Sequence, residues 1–101
     1  PLLREEIFGP VAPIVVWSDT EELLAAVNDT EFGLAAYVFG EMGEALHVAE
    51  RIDAGMVGVN RGLVSDPSAP FGGVKQSGIG REGARAGLEE YLETQYLSVA
   101  W

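Results

Sequence analysis

Cysteine is absent from this 101-residue chain. That excludes disulfides, a thiolate nucleophile and a cysteine metal site built by the chain itself. Histidine occurs once, at His47, so a zinc site made of several imidazoles is excluded as well, and no metal site is expected. Basic residues are scarce: 6 Lys and Arg stand against 16 Asp and Glu, for a net charge of -10. Nucleic-acid binding, which needs a basic footprint, does not fit that balance. The acids gather at helix-start positions rather than in one block, so an acidic tail is not expected either. No apolar run approaches the ~20 residues of a membrane-spanning helix. Pro1-Leu2-Leu3-Arg4-Glu5-Glu6 does not read as a charged region followed by an apolar core, so no signal peptide is expected and a cytoplasmic location follows as the default.

Glycine, by contrast, is concentrated. Residues 70–83, Pro-Phe-Gly-Gly-Val-Lys-Gln-Ser-Gly-Ile-Gly-Arg-Glu-Gly, carry five of the 13 glycines. Glycine costs backbone entropy inside a helix or strand, so this stretch reads as a shaped loop that opens a helix near Arg81. Long loops in small domains are functional or disordered. Phe71, a large aromatic beside paired glycines, argues for order and for one wall of a ligand site.

Around that loop the hydrophobic pattern predicts alternating strands and helices. Val11-Ala-Pro-Ile-Val-Val-Trp17 is a continuous β-branched run, as expected of a strand buried on both faces. Ser18-Asp19-Thr20-Glu21 has the form of a capping box, with Asp19 and Glu22 as the alternative pair. A helix follows to about Val27. Leu34–Phe39 predicts a second strand, and Ala45, Leu46, Val48, Ala49 and Ile52 the apolar stripe of a second helix. Arg51 suits that helix's last turn, and Gly55 suits its C-cap. Met56–Asn60 predicts a third strand, 81–92 a third helix and 94–101 a last apolar strand. The fold class expected is α/β, a β-α-β-α-β parallel sheet followed by the long loop, a helix and the terminal strand. An apolar strand at a chain end invites pairing with another subunit.

The chemical motifs are weak when taken singly. Gly78-Ile-Gly-Arg-Glu-Gly83 fits G-x-G-x-x-G, but a loop precedes it, so a flexible helix entry is preferred over a phosphate site. Glu6 and Phe8, locked by Gly9-Pro10, could hold a sugar diol and cover a flat ring. From spacing alone the plainer reading prevails: Glu6 is a solvated acid and Phe8 a core residue. Ser65-Asp66-Pro67 is ordinary turn chemistry. No nucleophile–base pair is present, so no catalytic residue is assigned.

Taken together, Glu5-Glu-Ile-Phe-Gly-Pro10, Gly33-Leu-Ala-Ala-Tyr-Val-Phe39, Gly55-Met-Val-Gly-Val-Asn60 and residues 70–83 resemble the C-terminal portion of an NAD(P)-dependent aldehyde dehydrogenase. The resemblance runs over essentially the whole chain, in the family's order and spacing. Asn60 to Ser65 joined to Pro70–Gly73 most resembles the succinate-semialdehyde dehydrogenase branch. It implies that Glu6 hydrogen-bonds the nicotinamide ribose of NAD or NADP, and that Phe8 packs near the nicotinamide. It implies that Phe71 lines the aldehyde tunnel and that Ser65 helps to hold the substrate's distal carboxylate. It also implies that residues 1–93 belong to the catalytic domain and residues 94–101 form a strand for homo-oligomers. The family's cysteine nucleophile and general-base glutamate have no counterpart here. The chain is therefore expected to be inactive without the N-terminal part of an enzyme. The rival reading is a stand-alone acidic module that assembles through 94–101 without catalysis.

Overall fold

A computed structural model describes residues 2–101; Pro1, the first residue of the signal-peptide reading, lies outside the described residues. Helix α1 spans Thr20–Asn28. Of the two capping alternatives the second forms: the Asp19 carboxylate accepts from the Glu22 N–H at 2.9 Å, satisfying one orphan donor of the first turn. Two short strands follow, β1 (Phe32–Gly33) and β2 (Ala35–Val38). Helix α2 runs Met42–Ala49, and β3 runs Met56–Val59. Strand β4 (Val74–Lys75) and helix α3 (Ala84–Glu89) complete the chain.

The centre is one β-α-β unit. β2 and β3 pair in parallel, Ala35 opposite Met56 through Val38 opposite Val59. Helix α2 packs on both, presenting Ala45 and Ala49, which are buried together with Leu24 of α1 and Met56 of β3. Small side chains on α2 let the helix lie close to the sheet. Arg51 sits two residues past α2 and makes a two-pronged ion pair with Glu21 of α1, each contact 2.6 Å. The Asn28 side chain also ties the two helices, donating to the Arg51 carbonyl at 2.8 Å and accepting from the Asp53 N–H at 2.9 Å.

Several expectations need correction. The predicted first strand, Val11–Trp17, forms no ladder, and its side chains are exposed. Its composition asks for burial, but among the described residues β2 is hydrogen-bonded only to β3, and none of them covers the run. The sheet therefore has two parallel strands instead of three. The second sheet, β1 with β4, is antiparallel and was not anticipated; two-residue strands leave no periodicity to read. The third helix is shorter than 81–92, because Arg81 and Glu82 are engaged in the loop and Gly83 takes a left-handed φ of 72°. Gly55 is not the α2 C-cap, a place taken by Glu50. Instead its α-carbon meets the glycine loop: a Cβ there would run into the Gly72 carbonyl oxygen and lie 2.6 Å from the Gly73 α-carbon. Residues 94–101 form no ladder with the other described residues. The radius of gyration is 17.8 Å, against ~13 Å for a compact domain of this length.

Candidate functional site

Residues 71–82 make a closed loop rather than a flexible one. Its neck is a two-way bridge: the Phe71 and Glu82 N–H groups each donate to the other's carbonyl at 2.7 Å. Arg81 fills the inside, its Nη1 donating to the Gly73 carbonyl at 2.7 Å and the Gly80 carbonyl at 2.9 Å. A guanidinium carries several donors, and one of its nitrogens thus ties the two ends of the loop, the contact at Gly73 half-buried and that at Gly80 exposed. The far end is tied down as well. The Gly33 N–H donates to the Ser77 hydroxyl at 2.9 Å, and Lys75 Nζ donates to the carbonyls of Asn28 and Thr30 at 3.0 and 3.2 Å. Lys75 itself has a φ of 55°, a left-handed conformation a non-glycine residue adopts only when its surroundings hold it there.

The neck forms one wall of an open groove of about 350 Å³, lined by Ser65, Asp66, Phe71, Glu82 and Gly83 among others. Ser65 and Phe71, predicted from opposite ends of an irregular segment, thus meet in one place. The turn between them is built on Asp66, whose carboxylate accepts from the Ser68 hydroxyl at 2.6 Å and the Ser68 N–H at 2.8 Å. Those two bonds, the hydroxyl's foremost, hold the Asp66 carboxyl below its ordinary range. Asp66 is therefore committed to shaping the turn. Among the described residues no Lys or Arg lines this groove.

Glu6 lies elsewhere. It lines a second open groove of about 550 Å³ with Arg4, Phe32, Gly33, Gln76 and Ser77. Phe8 lines neither groove and is 91% exposed. The plainer expectation for Phe8, a core residue, is thereby overturned: among the described residues its ring is left almost wholly uncovered. The glycine loop contributes to both grooves, Phe71 and Glu82 to one, Gln76 and Ser77 to the other.

The G-x-G-x-x-G stretch makes no phosphate cradle. The Arg81 N–H, which such a site would aim at an anion, donates to the Glu90 carboxylate at 3.2 Å. A carboxylate in that place repels phosphate. Sequence reasoning missed Glu82 as the partner of Phe71, because antiparallel pairing across a loop leaves no local trace. It also missed Asn60 as more than a strand end. Asparagine just past a β-branched run was the available signal, since Asn tolerates left-handed backbone.

Comparison with known proteins gives these features a family. The model of the family described as "Aldehyde dehydrogenase family" matches residues 1–97. The chain is 51% identical over 98 residues to glutarate-semialdehyde dehydrogenase of Pseudomonas putida, covering 96% of this chain and 20% of that protein. It is 46% identical over 97 residues to the NADP(+) succinate-semialdehyde dehydrogenase of Escherichia coli, covering 95% and 20%. The crystal structure of succinate-semialdehyde dehydrogenase from Burkholderia pseudomallei matches with a TM-score of 0.83 at 53% identity, over 88% of this chain and 19% of that one. Betaine aldehyde dehydrogenase from Staphylococcus aureus in complex with NAD+ matches with a TM-score of 0.82 at 43% identity, over 87% and 18%. The chain spans about a fifth of the length of the relatives it matches. With its motifs, its fold and nearly all of its length matched in this way, the chain belongs to the aldehyde dehydrogenase family.

Proposed function

We propose that this chain is the C-terminal portion of an NAD(P)-dependent enzyme that oxidises an aldehyde bearing an anionic group at its far end, with succinate semialdehyde as the leading candidate. The observation that carries the substrate side of this reading is the meeting of Ser65 and Phe71 in one groove. Phe71 offers an apolar face to the substrate's methylene chain, and Ser65 offers a hydroxyl donor to its distal carboxylate. The cation that completes carboxylate binding comes from the rest of the enzyme, since the residues of this groove supply none. The relatives named for succinate and glutarate semialdehydes support an acidic substrate. The family's aldehyde-attacking cysteine also comes from the rest of the enzyme, as this chain has none.

The residues present fit a nicotinamide cofactor in their chemistry. Glu6 supplies a carboxylate able to accept both ribose hydroxyls, and Phe8, two positions on, is an uncovered ring. When bound, NAD or NADP accepts the hydride; the part of Glu6 and Phe8 is to hold its nicotinamide end in place. Residues 94–101 add the strand that pairs between subunits. The 101-residue chain by itself oxidises no aldehyde.

The test is kinetic, in the complete enzyme. Ser65→Ala raises KM for succinate semialdehyde about tenfold and leaves KM unchanged for an uncharged aldehyde of equal length, as the loss of one polar contact to a charged group predicts. Equal effects on both aldehydes, or none, would refute the assignment. Glu6→Gln should raise KM for the cofactor and not for the aldehyde.

A further inference from the structure

Asn60 has a geometry that its place at the end of a strand does not require. Its φ is 52°. Its main-chain N–H continues the ladder by donating to the Val38 carbonyl at 2.8 Å. Its side chain then pairs with both main-chain groups of a single residue: Oδ1 accepts from the Gly40 N–H at 2.9 Å, and Nδ2 donates to the Gly40 carbonyl at 3.0 Å. A carboxamide carries one acceptor and two donors, and so copies a peptide group. It extends the β2–β3 pairing beyond the point where the backbone has already turned away. The segment that leaves at Asn60 is the one that carries Ser65 and ends at the Phe71–Glu82 bridge. One end of that segment is held by main-chain bonds alone, the other by one main-chain bond and this amide.

We propose that Asn60 is a positioning residue for the substrate groove: its clamp on Gly40 fixes the direction in which the Ser65 segment leaves the sheet. The proposal deepens the reading of Ser65 as a substrate contact and rests on it for its kinetic consequence, but the clamp itself can be tested separately. Aspartate cannot replace the amide, because its carboxylate keeps the acceptor for the Gly40 N–H and faces the Gly40 carbonyl with no proton to donate. Glycine keeps the left-handed backbone and removes the clamp. Alanine would confound the two, since its Cβ strains a positive φ.

The experiment compares Asn60→Gly, Asn60→Asp and Gly40→Ala with the parent, in the complete enzyme. Gly40→Ala is the control: both main-chain partners remain, and a Cβ at Gly40 meets nothing within 4 Å. Hydrogen exchange is read at the amides of Gly40, Ser68 and Ala69, each a donor in the parent. In Asn60→Gly these exchange about tenfold faster or more, while the β2 amides stay protected, as local opening without global unfolding requires. KM for the acidic aldehyde rises about tenfold at unchanged cofactor KM. Asn60→Asp behaves like Asn60→Gly, and Gly40→Ala like the parent. Unchanged exchange at these amides in Asn60→Gly overturns the proposal. Faster exchange combined with a silent Ser65→Ala upholds the clamp and refutes the substrate contact instead.

Discussion

The body of the chain, residues 20–90, and the two arms that flank it share an apolar character and differ in what becomes of it. In the body, Leu24, Ala45, Ala49 and Met56 form a small buried core, while Phe39, Leu63, Ile79 and Leu88 stay exposed, and the main chain is paired in ladders, caps and the closed loop. In the arms, Ile14 and Val16 are 91% and 92% exposed, and Leu97, Val99 and Trp101 are exposed as well. Hydrophobic patterning says that a segment is to be covered; it does not say by what. Pairing is the deciding difference, because an extended segment lowers its free energy only where another strand satisfies its N–H and C=O groups. Val11–Trp17 has the composition of a central strand and no strand partner among the described residues.

The largest expected effect therefore lies in association. The 101-residue chain should sediment as an associated species, since apolar patches of this extent draw in partners. Lysine at both Val16 and Trp101 should weaken that association about a hundredfold or more, as loss of central apolar anchors does. A parent chain that sediments as a monomer at high concentration would break the comparison, because the arms would then need no cover at all.

Within the body the steepest cost falls where the glycine loop crosses the start of β3. Gly55→Ala forces a Cβ into the Gly72 carbonyl oxygen, and both partners are main chain, which cannot swing aside. A loss of about 3 kcal/mol is expected, the upper end of overpacking. It is measurable as a lower urea midpoint for the chain carrying the two lysine substitutions. Leu24→Ala should cost about 2 kcal/mol, the low end for a buried leucine, because so small a core can relax around the gap. If the two costs came out in reverse order, the loop would be draped on the body rather than locked into it.

Legibility in the sequence follows the same division. The helices and the parallel pair could be read because their signals are local: Asp19 three residues before Glu22, the alanines of α2 at helical spacing, the valines of β3. The meeting of Ser65 and Phe71 came from family resemblance, and the structure gives the reason: Asp66 turns the chain between them and Glu82 holds the far side. Neither contact is periodic. Strands β1 and β4 were missed because two residues carry no alternation. The strand expected at 11–17 failed for the opposite reason: its signal was strong, and what it called for lay outside the chain's own pairing. Phe8 belongs with that strand. Its surroundings, unlike its identity, could not be read from neighbouring residues.

The smallest effect separates the body's polar anchors from its apolar ones. Glu41 caps α2, its Oε2 accepting from the Gly43 N–H at 2.9 Å and the Glu44 N–H at 3.2 Å. These bonds, that from Gly43 first, hold the Glu41 carboxyl below its ordinary value of 4.5. The sign follows from linkage. A carboxyl whose folded-state pKa is depressed stabilises the fold fully above the unfolded value and loses that contribution as pH falls through the folded-state value. The amide proton shifts of Gly43 and Glu44 should therefore titrate together below pH 4.5, and the end of α2 should fray over the same range. Glu41→Gln should abolish that titration while keeping a weaker, pH-independent cap, because a neutral carbonyl oxygen still accepts from both amides. The cap is exposed and screened by solvent, so its effect on overall stability should be well below that of Leu24→Ala. An effect as large as that of the buried leucine would mean that α2 is held by its end rather than by its alanine face, and the contrast between a body with a paired main chain and unpaired arms would have to be redrawn around the caps.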